Sequence, residues 1–277
     1  QSPHVPEAHF RIAEFLLRDE GDPLKAIEAY QAALDAQPTE DMAGRALRGM
    51  ALARYERKDY DMAVDLFVKL IAEYPNTRLN EESYAWAAQY CFDREQWEQA
   101  ATLFDALLTA VPAYPYPELV RFMMAECAEK TGNPDEALAR YQAVVDAAPA
   151  SAKAVEAKYR MAILLEAREK HDEAIDLLEA AANTNTGETA ARARFRLGEI
   201  YEAQEDYDKA ARSYMRVAIL FLHAELSPMA LWRAGQCFEQ AGNIEQARKA
   251  YEEIIADYPD TPLADQAKEA LAKPGNA

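Results

Sequence analysis

Apolar positions along this chain follow a helical period, and small residues return on a beat of about 37 positions. Ala26, Ala63, Ala100, Ala137, Ala174, Ala210 and Ala247 are separated by 37, 37, 37, 37, 36 and 37 residues. One helical turn after each stands a bulky apolar residue: Tyr30, Phe67, Phe104, Tyr141, Leu178, Tyr214 and Tyr251. Within each unit the helical pattern runs twice and is interrupted about four residues before the alanine. Each unit therefore predicts a helical hairpin, and the seven alanines predict seven of them.

Turn chemistry agrees with this phasing. Asp22, Asp59, Gln96, Asn133, Lys170, Asp206 and Asn243 stand just before the second helices. All but Gln96 and Lys170 have short side chains able to accept from open backbone N–H groups. Pro23 and Pro134 follow at a first-turn position that needs no N–H, and Gly21, Gly132 and Gly242 fit the chain reversal. Pro38, Pro75, Pro112, Pro149 and Pro259 stop the second helices. The fifth and sixth units lack that proline, so local deviation is expected there: 183–187 reads as a polar linker and 219–225 as an apolar continuation of the sixth second helix. Residues 262–272 read as one further helix that covers the last face. Residues 1–7 lead straight into an apolar-periodic helix, as the later linkers do, which reads as an excised or processed fragment.

Twelve residues before the alanines stand Glu14, Ala51, Ala88, Ala125, Ala162, Gly198 and Gly235. This spacing resembles the tetratricopeptide repeat family, in which a small residue on the first helix faces an alanine on the second and lets the two approach closely. Glu14 departs from the pattern and puts the packing of the first unit in question. The resemblance covers about residues 7–259, on a period longer than the ~34 residues typical of the family. It implies an all-α fold, a right-handed α-solenoid of seven hairpins plus a C-terminal capping helix in one domain over 1–277. The hairpins fall at about 7–38, 44–75, 81–112, 118–149, 155–186, 191–222 and 228–259, with the cap at 262–272. The linkers after Tyr74 (Pro-Asn-Thr) and Tyr258 (Pro-Asp-Thr-Pro), and the run from Ala193 to Gly198, are similar to those of bacterial cell-envelope members such as the Tol-Pal coordinator and the lipoprotein partner of outer-membrane assembly. That likeness favours the periplasm, with the cytoplasm as the alternative.

Composition narrows the partners. A formal net charge of −18 argues against nucleic acid, whose binding draws on clustered Lys and Arg. No apolar run approaches the ~20 residues of a membrane span, so insertion by this chain is not expected. Cys91, Cys127 and Cys237 lie far apart without metal-ligand spacing and read as small buried hydrophobes. His4, His9, His171 and His223 show no ligand spacing, and His171 stands where Tyr or Trp occurs in sister units. No phosphate-binding or nucleophile motif is present, so neither a cofactor, a metal nor catalysis is expected.

Stacked hairpins use the wall formed by their first helices to grip extended partners. Family geometry places two columns there. Fifteen residues before the alanines lie Arg11, Arg48, Ala85, Phe122, Tyr159, Phe195 and Trp232; eight before lie Arg18, Tyr55, Phe92, Glu129, Glu166, Glu202 and Glu239. On one reading the four aromatics hold apolar side chains of a bound peptide and the four glutamates attract its basic groups. On the other, the rings pack between helices and the glutamates face water. Arg11, Arg18, Arg45 and Arg48 form a basic cluster that could meet a partner's carboxylates or be paired within the chain. The Lys-x3-Asn signature of chaperone-binding members is absent. The linker from Pro112 to Pro117 either presents Tyr114 and Tyr116 as a knob or is an ordinary turn. The expected function is a non-catalytic adaptor for a protein or peptide segment. A structural spacer or oligomerisation segment, and a regulatory or substrate-presenting domain of a cell-envelope enzyme, are the alternatives.

Overall fold

The computed structural model describes residues 4–184, 187–220 and 225–272. Among them are fifteen α-helices and no strand: α1 His4–Arg18, α2 Pro23–Asp35, α3 Glu40–Glu56, α4 Tyr60–Glu73, α5 Glu81–Asp93, α6 Trp97–Ala110, α7 Pro117–Lys130, α8 Pro134–Ala147, α9 Ala152–Glu166, α10 His171–Thr184, α11 Glu188–Ala203, α12 Tyr207–Leu220, α13 Leu226–Gln240, α14 Ile244–Asp257 and α15 Pro262–Leu271. Contacts divide the chain into two units, 1–137 and 138–277, with the division inside α8. In the first unit α1 packs on α2, α2 on α3, α3 on α4, α5 on α6 and α6 on α7. In the second, consecutive helices from α9 to α15 pack in the same manner.

The 37-residue beat is a burial pattern. All seven alanines are 0 % exposed, and the bulky residue one turn later is buried in every hairpin. Where the facing residue is glycine, the ring of that bulky residue fills the missing side chain's space: a Cβ on Gly198 would lie 2.5 Å from Cε1 of Tyr214, and one on Gly235 would strike the Tyr251 ring. The first hairpin solves its departure differently. With Glu14 at the small position, Tyr30 lies instead against Gly49 of the next hairpin, where a Cβ would sit 2.5 Å from its Oη. Phe10, Ala13, Ala26 and Ala33 complete that core. Cys91, Cys127 and Cys237 are buried, as small hydrophobes should be.

The hairpin turns share one backbone device that composition hid. The residue before each second helix's cap has positive φ: Gly21, Lys58, Glu95, Gly132, Glu169, Glu205 and Gly242. From the second hairpin on, the next residue's N–H reaches back five positions, as from Asp59 to Arg54 O (3.0 Å) and from Asn243 to Phe238 O (2.8 Å), the geometry that closes a helix C-terminus. Four of the seven sites accept a side chain at φ 59–66°, so only Gly21, Gly132 and Gly242 were visible as turn residues. Gly132→Ala should cost about 1 kcal/mol through backbone strain, because no atom lies within 4 Å of the added methyl. Urea denaturation checks this, and a cost above about 2 kcal/mol would mean that the turn makes contacts beyond its own backbone.

Several expectations need correction. Asp59 does not cap α4 with its side chain; its carboxylate accepts from Arg54 (3.1 Å) and Arg57 (2.9 Å) instead. Asn243 makes no side-chain cap bond either, whereas Asp22 and Asp206 accept from the N–H of Lys25 and Lys209, and Gln96, as expected of its longer side chain, makes none. Residues 183 and 184 belong to α10 rather than to a linker. Without a proline, that helix end is closed by Arg194, a buried residue that donates to Ala182 O (3.0 Å) and Asn183 Oδ1 (2.9 Å). Helix α12 is described as far as Leu220, and the continuation expected over 221–224, with His223, lies outside the described residues.

Candidate functional site

In the first unit the first helices α1, α3 and α5 line two adjoining clefts. One, of about 210 Å³, has Phe10, Glu14, Arg18, Arg45, Arg48 and Tyr30 among its walls. The other, of about 530 Å³, is walled by Tyr55, Glu56, Glu82 and Trp86. Leu17, Arg18, Leu52, Asn80 and Ser83 border both, so the two form one groove. Its floor is set by the hairpin packing and its upper edge by the linker into α5, where Asn80 accepts from the N–H of Ser83 (2.8 Å).

Three of the four predicted arginines meet there. Arg45 lies over the Phe10 ring at 4.7 Å and 3.7 Å from Asp41. Arg48 donates to the carbonyl of Arg78 (3.1 Å), and Arg18 is 4.0 Å from Glu14. Arg11 is not part of the groove wall; Glu7 (2.7 Å) and Glu14 (3.7 Å), one turn away on its own helix, take its charge.

Tyr55 is exposed and belongs to an aromatic platform that the column reading missed. Its ring meets Trp86 edge-on at 4.6 Å, Tyr60 lies 5.7 Å from Tyr55 and 5.2 Å from Trp86, and Tyr90 stacks on Trp86 at 5.2 Å. Arg94 covers Tyr90 at 4.6 Å, and the Tyr90 hydroxyl donates to Asp61 (2.9 Å). Trp86 falls one residue after Ala85 in the column, and the neighbouring column was the signal that could have found it. Phe92 is half-buried against Trp97 and Phe104.

The remaining aromatics are committed to packing. Phe122 is 1 % exposed, which removes it from any surface ladder. In the second unit Phe195 meets Tyr214 edge-on at 5.1 Å and Trp232 tilts against Tyr251 at 5.2 Å, each on the core tyrosine of its own hairpin. Tyr159 and Phe195 do border a shallow depression of about 220 Å³ with Ile163, Arg192 and Arg196. Were these rings a surface ladder, a Phe195→Ala, Trp232→Ala double change would weaken partner capture and leave helicity intact. The packing predicts a loss of about 1–3 kcal/mol per ring instead, read from a circular-dichroism melt. An unshifted midpoint would return the rings to the surface.

The glutamates are engaged as well. Glu166 takes two bonds from Arg196 (2.5 and 2.9 Å), and Arg196 also donates to Glu199 (2.6 Å). Glu202 accepts from Tyr214 Oη (2.9 Å) and Arg233 (3.1 Å), and Glu239 bonds Tyr251. Glu166 and Glu202 thus clamp each first helix to the next, a structural use for charges placed on the groove face; the Arg196 guanidinium is driven further toward its charged form by Glu166. Glu129 is half-buried on α7. In the linker, Tyr114 closes a turn onto Val111 O (3.0 Å), and Tyr116 is exposed beside it at 6.2 Å.

Comparison with known proteins follows this geometry. A family model described as a tetratricopeptide repeat-like domain matches residues 72–225, more than half of the chain. Tetratricopeptide repeat models also match 1–41, 16–78 and 229–261. Among solved structures, the C-terminal part of a repeat-containing protein from Cytophaga hutchinsonii is similar at 14% identity over 93% of this chain and 98% of that one, with a TM-score of 0.55. The MamA protein is similar at 20% identity over 70% of this chain and 94% of that one, with a TM-score of 0.50. A search of the curated proteins matched nothing. With paired helices, buried alanines on the repeat beat and matching models in both units, the chain belongs to the tetratricopeptide repeat family.

Proposed function

We propose that the chain is a non-catalytic adaptor that holds an extended protein or peptide segment along the first helices of its first unit. Folds of this family mediate protein–protein interactions, which supports the class. The observation that carries the reading is the groove itself, where Arg18, Arg48, Tyr55 and Trp86 present charge and aromatic surface that packing leaves open. Aromatic and arginine side chains of this kind supply most of the energy at protein contacts. The linker resemblance supports a bacterial cell-envelope location for this adaptor, which cell fractionation tests.

Display of random peptides against the purified chain tests the groove. Enriched sequences should lose binding on Ser83→Trp, which fills the border between the clefts, with the melting curve unchanged. Failure to enrich any sequence that the variant rejects would end the adaptor reading. A second reading, a spacer or oligomerisation segment, is favoured by α1, where Ile12 and Phe15 are each 51 % exposed and Val5 36 %. Spaced by seven and three residues, they share one helix face. Self-association in sedimentation velocity without peptide capture would support that reading.

A further inference from the structure

The repeats can be compared with one another at a single position. In the sixth and seventh hairpins the core tyrosine of the second helix bonds the glutamate eight residues before the buried alanine: Tyr214 to Glu202 and Tyr251 to Glu239. The first hairpin keeps the tyrosine, Tyr30, but has Arg18 where the glutamate should be. That exchange removes the hydroxyl's acceptor and sets a cation in its place.

The consequence is an excess of donors. Tyr30 is 3 % exposed, its hydroxyl has no hydrogen-bond partner among the described residues, and it lines the smaller cleft with Arg18, Arg45, Arg48 and Glu14. The phenol edge lies directly against Gly49, where a Cβ would strike Cζ and sit 2.5 Å from Oη, so the ring reaches the cleft only past a glycine. Arg48 meets only the neutral carbonyl of Arg78. Arg18 has a single contact of 4.0 Å with Glu14, which is shared with Arg11. Arg45 is partly served by Asp41 and the Phe10 ring. Three guanidinium groups and a phenol therefore line the smaller cleft beside one wall carboxylate, Glu14, while Asp41 pairs with Arg45 and Glu56 and Glu82 belong to the adjoining cleft.

We propose that Arg18, Arg48 and the Tyr30 hydroxyl seat a carboxylate side chain of the bound segment, while the adjoining cleft beside Leu17, Leu52, Tyr55 and Trp86 takes an apolar side chain close to it. The partner is then an acidic segment with interspersed apolar residues. A buried phenol beside two arginines favours a planar anion that accepts from several directions, and such charge-assisted bonds are the stronger kind. This assignment rests on the groove reading above and names the class of segment the groove selects.

Two capped hexapeptides test it: acetyl-Ala-Asp-Leu-Glu-Leu-Ala-amide and its isostere with Asn and Gln in place of the acids. The acidic peptide should bind the intact chain about tenfold more tightly or better, and added salt should narrow the gap. Tyr30→Phe keeps the ring and should weaken only the acidic peptide, by about threefold to tenfold. Arg18→Glu recreates the pairing of the sixth and seventh hairpins and should abolish the preference; an unchanged melting curve excludes misfolding. Equal affinity for the two peptides, a preference that survives Arg18→Glu, or no binding by either would overturn the carboxylate seat. If display peptides still bind and Ser83→Trp still rejects them, the groove reading stands without it.

Discussion

Tyr214→Ala should be among the most damaging single substitutions in the second unit, with a cost of about 3–5 kcal/mol. The side chain is fully buried, covers Gly198 where no Cβ can fit, and meets Phe195 edge-on at 5.1 Å. Its removal leaves a cavity between α11 and α12 that alanine cannot close, since the facing residue is already glycine. It also strips Glu202 of one of its two donors, the other being Arg233 of the next hairpin. Tyr214→Phe separates these effects: it keeps the ring and should cost only about 1–2 kcal/mol for the lost bond to a charged acceptor. Urea denaturation of both variants gives the comparison. If Tyr214→Ala proves no worse than Tyr214→Phe, the ring does not hold the hairpin together.

Alkaline pH should unfold the protein through its buried acids. Burial pushes the Cys91 thiol up to about 11, the Cys237 thiol to about 12 and the Tyr30 phenol to about 12, and raises Tyr214 and Tyr251 in the same direction. Each of these groups is neutral when protonated, and each folded value lies above that of the unfolded chain, near ~8.5 for thiols and ~10 for phenols. The folded state therefore has its full stability below about pH 8.5 and loses it as pH rises toward 11 or 12, because only the unfolded chain can ionise freely. For Cys91 alone the loss approaches roughly 3 kcal/mol. Denaturant midpoints from pH 7 to 11 should be level at first and then fall, and Cys91→Ala should flatten the early part of the decline. A midpoint that holds level to pH 11, or native thiols that react at pH 8 as fast as unfolded ones, would contradict this burial.

The parts of the fold legible in the sequence were those that depend on local spacing. Ala26 to Ala247 could be aligned because two helices crossing at close range tolerate only a small residue at the crossing, and that demand repeats whenever the hairpin does. Pro38, Pro75, Pro112, Pro149 and Pro259 were legible for a similar reason, since the second helices end two or three residues before each of them. The turns were half legible. Gly21, Gly132 and Gly242 announced positive φ, but Lys58, Glu95, Glu169 and Glu205 adopt it too, held by backbone bonds that leave no mark on residue choice.

The groove was harder to read, because columns of residues do not say which member is covered. Phe122 and Trp232 share a column, yet one is buried and the other half-buried on a tyrosine. Glu166 and Glu202 looked like a free acidic stripe until Arg196 and Arg233, thirty or thirty-one residues away, proved to take them. Trp86 escaped notice by one position. What the sequence determined by itself was the helical repeat and the small-against-large contact inside each hairpin, since both follow from the period of burial along one chain. Only the tertiary structure decided which charges are spent on neighbouring hairpins and which are left over at Arg18, Arg48 and Tyr30, because that balance depends on side chains brought together across separate helices.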